Sequence, residues 1–268
     1  MRPLDHWTRR CAACGYMAAG LTPGFGRGVD GLAPVQRVND KATLDEIRRH
    51  LGSGGKSLLD VGCGGGGFLE RAAVAGFRAE GIEPAPDAER TANGLPIRPE
   101  AFPIKPVDGA AYDAITFNHS FEHLPCPAKA AAASSGLLRQ GGVVALQLPS
   151  SQGTLFKLAS FGRRAGLFAA WELLWQKGLP SPHLHYFNPG NLRRLFERTT
   201  DLRLISTQRL QAVRIPGLWR RIRCRLSAPS ALVAFTMLAL AVPLLNRLPP
   251  DFILCVFRKP APPRQPAR

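Results

Sequence analysis

Asp60, Gly62, Cys63, Gly64 and Gly66 stand in the stretch SLLDVGCGGGGF (57–68), where a short apolar run breaks into glycines. A helix-compatible stretch, FLERAAVAGF, follows. Strand, glycine turn and helix together bring backbone N–H groups and the positive end of a helix up to a ligand. Glycine is required because a side chain would block that approach and several turn positions want positive φ. The spacing fits two templates. Gly62, Gly64 and Gly67 satisfy GxGxxG, while Asp60, Gly62, Gly64 and Gly66 satisfy DxGxGxG. Glu83 follows at the usual βαβ interval, where a carboxylate can accept hydrogen bonds from both hydroxyls of a ribose. Further on, NHSFEHL supplies Asn118, His119 and His123, and SPHLHYFNP supplies His183 and His185. Histidine is the natural proton acceptor near neutral pH. HxH also suggests metal, but no carboxylate stands beside it in the sequence, so no metal site is predicted there. Cys11 and Cys14 form one CxxC. A structural zinc site needs four ligands, and no second CxxC follows nearby.

These residues need elements to place them. The 43–51 stretch, TLDEIRRHL, reads as a short amphipathic helix with Leu44, Ile47 and Leu51 on one face. FRAEGIEP reads as a strand ending at Glu83 and closed by Pro84. PDAERTAN (86–93) reads as a short helix, and LPIRPEAFPIKPV as loop. YDAITFN is a buried strand with Asn118 at its tip, 128–139 an alanine-rich helix, and VVALQLPS a strand entered through the turn RQGG. Alternation at this pitch predicts a parallel, doubly wound α/β sheet with its ligand beyond the carboxyl ends of the strands. Asp60, Glu83, Asn118, His119 and Ser150 all fall at or near such ends.

The motifs LLDVGCGGGGFL, GIEP, YDAITFNHSFEHL and LLRQGGVVALQLPS, in this order, resemble the class I S-adenosylmethionine-dependent methyltransferases. The broad group that includes the ubiquinone-pathway O-methyltransferases is the most similar in flavour. The resemblance covers residues 55–150 and continues in HLHYFNPGNLRRLFERT. It implies a Rossmann-like, mostly parallel seven-stranded sheet, with S-adenosylmethionine as cofactor. The backbone of Gly62, Cys63 and Gly64 would pack on the methionine part, with Gly66 in the same turn, and Asp60 would hold its ammonium through a hydrogen-bond network. Glu83, with Pro84 beside it, would take the ribose. Glu100 and Ala101, followed by Phe102, would meet the adenine, although Glu100 matches the family's acidic residue only loosely. Asn118 would lie beside the sulfonium. His119 is the first candidate base, with His123 and His185 after it. NHSF lacks the prolines of enzymes that methylate exocyclic base amines, which favours an oxygen on a small or lipid-linked acceptor.

Composition sets the outer limits. The 268 residues are 45% apolar and 20% charged, ordinary for a globular chain. The net charge of +16 is lopsided: residues 1–150 carry 16 Lys+Arg against 15 Asp+Glu, and residues 151–268 carry 19 against 4. A basic surface attracts the phosphates of nucleic acid or of anionic lipid, and an arginine-rich genome would produce the same excess. Scattered cysteines and the lack of a visible secretory signal predict a cytoplasmic protein. Residues 1–40 read as an irregular N-terminal segment, 41–260 as the methyltransferase domain, and 261–268 as a disordered tail. Within the domain, 151–190 reads as an apolar cap in which Phe156, Phe161, Phe168, Trp171 and Trp175 either line a greasy pocket or pack on the core. Residues 214–248 form a basic and then hydrophobic segment. Its uncharged run 226–246 is long enough to span a bilayer. However, DFILCVFRK after it resembles the family's last strand, which must return to the same sheet, so the run is predicted to be a buried or interfacial helix at the inner face of the membrane. RNA methylation by the basic half, and non-catalytic cofactor binding, are the rival readings, with a nicotinamide oxidoreductase more distant.

Overall fold

The computed structural model describes residues 1–24, 33–52, 55–85, 89–104, 112–223 and 227–261. In chain order its elements begin with β1 (Arg2–Pro3), β2 (Thr8–Arg10), β3 (Met17–Ala19), α1 (Ala33–Leu51), β4 (Ser57–Val61), α2 (Gly67–Val74) and β5 (Arg78–Ile82). Next come β6 (Ile97–Arg98), β7 (Tyr112–Asn118), α3 (Pro127–Leu137), β8 (Leu138–Pro149), α4 (Thr154–Arg164), α5 (Ala169–Leu174) and β9 (His185–Tyr186). The chain closes with α6 (Pro189–Thr199), β10 (Arg203–Leu210), α7 (Ile215–Arg223), α8 (Ala228–Leu245) and β11 (Phe252–Arg258).

The main sheet has seven strands in the order β10-β11-β8-β7-β4-β5-β6. Strands β8, β7, β4, β5 and β6 run parallel, and β11 lies antiparallel between β8 and β10. This is the predicted doubly wound architecture. Leu58, Ile115 and Leu146 are wholly buried, as strands covered on both faces require. Register then fixes the site. Val61 pairs with Ile82 on one side and with Phe117 on the other, and Ile82 pairs with Arg98. Gly62, Glu83 and Asn118 are therefore the next residues out along one edge.

Several local expectations are corrected. The N-terminal segment is not irregular: β1, β2, β3 and β9 form a second, four-stranded sheet. The helix predicted over 43–51 begins at Ala33, because its buried face carries Asn39, Asp40, Thr43 and Glu46 and no continuous apolar stripe marks it. β6 lies inside the passage read as loop. RQGG is part of β8 and not a turn before it; Gly141 takes a φ of 79° there. The helix predicted over 86–93 falls partly outside the described residues, and its remainder makes a bridge between Arg90 and Pro96. The predicted disordered tail lies outside the described residues from 262 onward.

In the cap, Phe156, Trp171 and Trp175 are buried in a cluster with Met17 and Tyr186, with Leu4 and Trp7 packed against it. They hold the cap to the N-terminal sheet. Phe161 and Phe168 face outward. The alternative that the cap aromatics simply pack therefore applies to the first three.

The segment 211–251 leaves the sheet at Leu210 and returns at Phe252, which pair with each other across β10 and β11. α8 is long and apolar enough by composition to cross a membrane, but only 11% of it is buried. Of the two placements expected, buried or interfacial, the buried one is thus corrected. Leu232, Val233, Met237, Leu240 and Leu244 are exposed, and the last four fall on one helical face. Ala231 and Val242, on the other side, pack with Leu218 and Ile222 of α7.

Candidate active site

At the edge where β4, β5 and β7 end, the glycine turn leads from Val61 into α2, whose N-cap is Gly66 with a φ of 78°. Gly62, Gly64 and Gly66 all have positive φ, but their surroundings differ. A Cβ on Gly62 would come within 2.6 Å of Ser120 Cβ, and one on Gly66 would strike Thr91. Around Gly64 there is nothing within 4 Å. Gly62 and Gly66 thus close the turn against protein, and Gly64 faces open space. Gly62→Ala is accordingly expected to lower stability by about 2 kcal/mol or more, from left-handed backbone plus a clash. Gly64→Ala should cost only about 1 kcal/mol and act chiefly on ligand binding. Urea unfolding of the two variants separates the effects.

Beneath the turn, Asp60 is fully buried and its Oδ1 accepts from Thr116 Oγ1 at 2.7 Å and Asn118 Nδ2 at 2.9 Å. Burial pushes its pKa up to about 7, the two hydrogen bonds oppose this, and the Asp40 carboxylate nearby adds to it. Asp40, on α1, is held by Arg71 of α2. Its other oxygen accepts from Gln147 Nε2 at 3.3 Å, and the same amide donates to Asn118 Oδ1 at 3.2 Å. Arg71, Asp40, Gln147, Asn118, Asp60 and Thr116 therefore form one continuous polar chain under the site. The sequence reading passed over Thr116, Gln147, Asp40 and Arg71. Gln147 in the otherwise apolar VVALQLP was the available signal.

Glu83 is half-buried at the tip of β5 and accepts from Gly64 N at 3.0 Å and Ala85 N at 3.5 Å. Pro84 follows it at the same rim. Cys63 is buried with its sulfur under Gly81, where a Cβ would collide with it, and burial raises its thiol pKa. Its side chain is a packing group, which leaves only its backbone for a ligand. Glu100 is half-buried with Arg98 Nη1 3.6 Å away, and Ala101 is exposed beside it. Phe102 is buried edge-on against Phe117.

The histidines separate by environment. His119 has a φ of 55°, a strained value for a residue with a side chain. Its N–H donates to Gln147 O, its ring stands against Phe252, and it remains partly exposed beside Asn118. His123 Nδ1 lies 2.8 Å from Pro182 O. His185 is corrected as a candidate base. Its Nδ1 meets Tyr16 Oη at 2.6 Å and its Nε2 meets Leu124 O at 2.9 Å, so both nitrogens are taken. Burial lowers its pKa to about 4, which makes it a poor proton acceptor at neutral pH. Among the described residues, no group of three metal-ligating side chains includes Cys11 or Cys14.

A parallel sheet with a glycine turn, a carboxylate one strand over and an Asn at the next tip fits the class I S-adenosylmethionine-dependent methyltransferases. Residues 36–207 match the model of the family described as "Methyltransferase domain", and the chain belongs to that family. It is 32% identical over 138 residues to the ubiquinone biosynthesis O-methyltransferase of Chromobacterium violaceum, a match covering 48% of this chain and 59% of that protein. The chain thus spans little more than half the length of such relatives. Geranyl diphosphate C-methyltransferase from Streptomyces coelicolor superposes with a TM-score of 0.52 at 17% identity, covering 90% of this chain and 92% of that one. The 1,6-didemethyltoxoflavin-N1-methyltransferase of Burkholderia thailandensis does so with a TM-score of 0.52 at 13% identity, covering 95% and 100%. Identity at that level shows the fold alone. The family's methyl donor, S-adenosylmethionine, fits the residues present. Gly64 leaves space, Glu83 offers a carboxylate at the rim, and Asp60 offers a latent negative charge. That cofactor, when bound, supplies an activated methyl group on sulfur. The chain's own part is to orient it.

Proposed function

We propose that the protein transfers a methyl group to a hydroxyl oxygen of a small, lipid-linked acceptor while lying on an anionic membrane surface at the cytoplasmic face. The observation that carries this is the exposed apolar face of α8. Its flanks are basic, with Arg214, Arg220 and Arg223 before it, Arg247 after it, and no acidic residue between 214 and 248. Such a helix suits the interface plane. Spanning is disfavoured by geometry. α8 has 18 residues, about 27 Å, and both of its connections lead to the same end of the sheet. α7, with 9 residues and a kink at Pro216 and Gly217, is too short to recross. A cavity lined by Leu155, Leu210, Val213, Leu245 and Asp251 lies at the foot of α8. One residue away, Phe252 packs on His119.

At the reacting end, the protein's work is alignment of oxygen and methyl carbon, which supplies roughly 7–11 kcal/mol of the barrier. As the carbon–oxygen bond forms and the carbon–sulfur bond breaks, the hydroxyl proton leaves, and His119 is the base assigned to take it. The ubiquinone O-methyltransferase relatives act in the synthesis their name states, which agrees with an oxygen acceptor on a lipid-like molecule.

The test is flotation with vesicles, followed by methyl transfer to a lipid extract. Binding to vesicles containing anionic lipid, weaker on neutral ones and lost in Val233→Lys/Leu240→Lys, is the expected outcome, with labelled methyl recovered in the extract. Equal flotation of the variant would remove the membrane reading. Label passing to RNA, with binding that weakens steeply as salt rises, would replace it with the nucleic-acid reading.

A further inference from the structure

We propose that Glu122, His123 and His183 form a site for a divalent transition metal of the zinc class, which ties the cap segment around His183 to the tip of β7. In sequence the histidine pair of SPHLHYFNP has no carboxylate beside it. The fold provides one: a 3-10 turn at Phe121–His123 follows β7 and brings Glu122 across to His183. Ligand atoms of Glu122, His123 and His183 all lie within 4.8 Å of one another.

Three features mark this as more than a chance meeting. Glu122 is wholly buried, and neither of its carboxylate oxygens has a hydrogen-bond partner among the described residues. The nitrogens of His119 and His183 stand 3.6 and 4.0 Å from Oε1, beyond hydrogen-bond length. A carboxylate buried without a donor is costly, and a bound cation removes the cost. Second, His123 Nδ1 lies 2.8 Å from Pro182 O, which can only accept, and 3.2 Å from Ser181 Oγ; donation to the nearer carbonyl puts the ring proton on Nδ1 and leaves the Nε2 lone pair for a ligand. Metal-ligating imidazoles are set in this way by their outer hydrogen bond. Third, His183 is buried with Nδ1 unpartnered, and its Nε2, the nitrogen that faces Glu122 Oε1 at 4.0 Å, meets the side-chain amide of Gln176 at 3.0 Å, a contact the metal would replace.

Two imidazoles and one carboxylate suit zinc and its neighbours, whereas magnesium and calcium take oxygen ligands almost alone. Metal bonds of about 2.0–2.2 Å would draw the donors roughly 1 Å closer together. With all three ligands in place, the cap could not lift from the β7 tip without breaking the site.

The test titrates Co2+ into the purified Cys11→Ser/Cys14→Ser protein, so that those two thiolates cannot compete, and reads the visible ligand-field bands. One equivalent of Co2+ in a four-coordinate nitrogen–oxygen spectrum, displaced by Zn2+, is expected. His183→Gln and Glu122→Gln should each weaken it by at least about tenfold. A thermal shift with S-adenosylhomocysteine identifies the variants that remain folded, and the titration of the parent Cys11→Ser/Cys14→Ser protein can still overturn the proposal if neither does. No stoichiometric binding at micromolar Co2+, or binding unchanged in a folded variant, would overturn the proposal.

Discussion

Glu83→Ala is expected to weaken binding of S-adenosylmethionine and S-adenosylhomocysteine by about 10²–10³-fold with little loss of stability in the ligand-free protein. Glu83 stands at the tip of β5, one strand from the glycine turn, where both ribose hydroxyls can donate to one carboxylate. Two hydrogen bonds to a charged group are worth about 3–6 kcal/mol together. The cofactor does not gain all of this. In the free protein Glu83 already accepts from Gly64 N at 3.0 Å, and that bond competes with the ribose. The loss therefore falls at the lower end. Ligand at 100 times the wild-type dissociation constant stabilises the wild type by about 2.7 kcal/mol. The same concentration gives the variant about 0.4 kcal/mol or less. Glu83→Gln, which keeps an acceptor but loses the charge, should fall between the two. Thermal unfolding with and without ligand reads all three proteins. An alanine variant that binds within threefold of wild type would mean the ribose is held elsewhere.

Glu83 was legible because residue type, interval and the following Pro84 all point to a strand tip. The same holds for Gly62, Gly64 and Asn118, since a glycine turn and a polar residue ending an apolar strand announce themselves locally. What failed had a physical reason. β6 is two residues long and has no periodicity to detect. α1 buries Asn39, Asp40, Thr43 and Glu46, so its inner face does not look like an inner face. Asp40 accepts from Gln147 and Glu46 from Gln208, contacts made by the tertiary fold. Glu122 and His183 meet across 61 positions of chain, so neither is informative without the other. His185 looked reactive as one of a histidine pair, but it is fixed between Tyr16 and Leu124. The aromatic cap left two readings open. Trp171 and Trp175 needed a partner to cover them, and the N-terminal sheet does so.

Asp60 leads to the second large effect, one with two signs. In the free protein its pKa is raised by burial to about 7, above the ordinary value of 3.8 that it recovers on unfolding. Between those values the folded state holds a proton that the unfolded state has lost. Its contribution to stability is therefore fully present below about pH 4 and is lost as pH rises towards 7. Cofactor binding runs the other way. The ammonium of the methionine part favours the ionised carboxylate, so binding lowers the pKa and releases the proton. Affinity should rise by up to about tenfold per pH unit below 7 and level off above it, until the ligand's own α-amino group gives up its charge. Asp60→Asn keeps the contact to Thr116 while removing the titration. It should flatten both profiles and leave affinity close to the wild-type value at low pH, where the wild type is itself neutral. The measurement is calorimetric titration with S-adenosylhomocysteine from pH 5 to 8, in buffers of different ionisation enthalpy, beside urea unfolding over the same range. Opposite slopes in the wild type, both absent in the variant, assign the proton to Asp60. A wild-type affinity that does not change with pH would show that this carboxylate already carries its charge before the cofactor arrives, and that the Thr116 and Asn118 hydrogen bonds prevail over its burial.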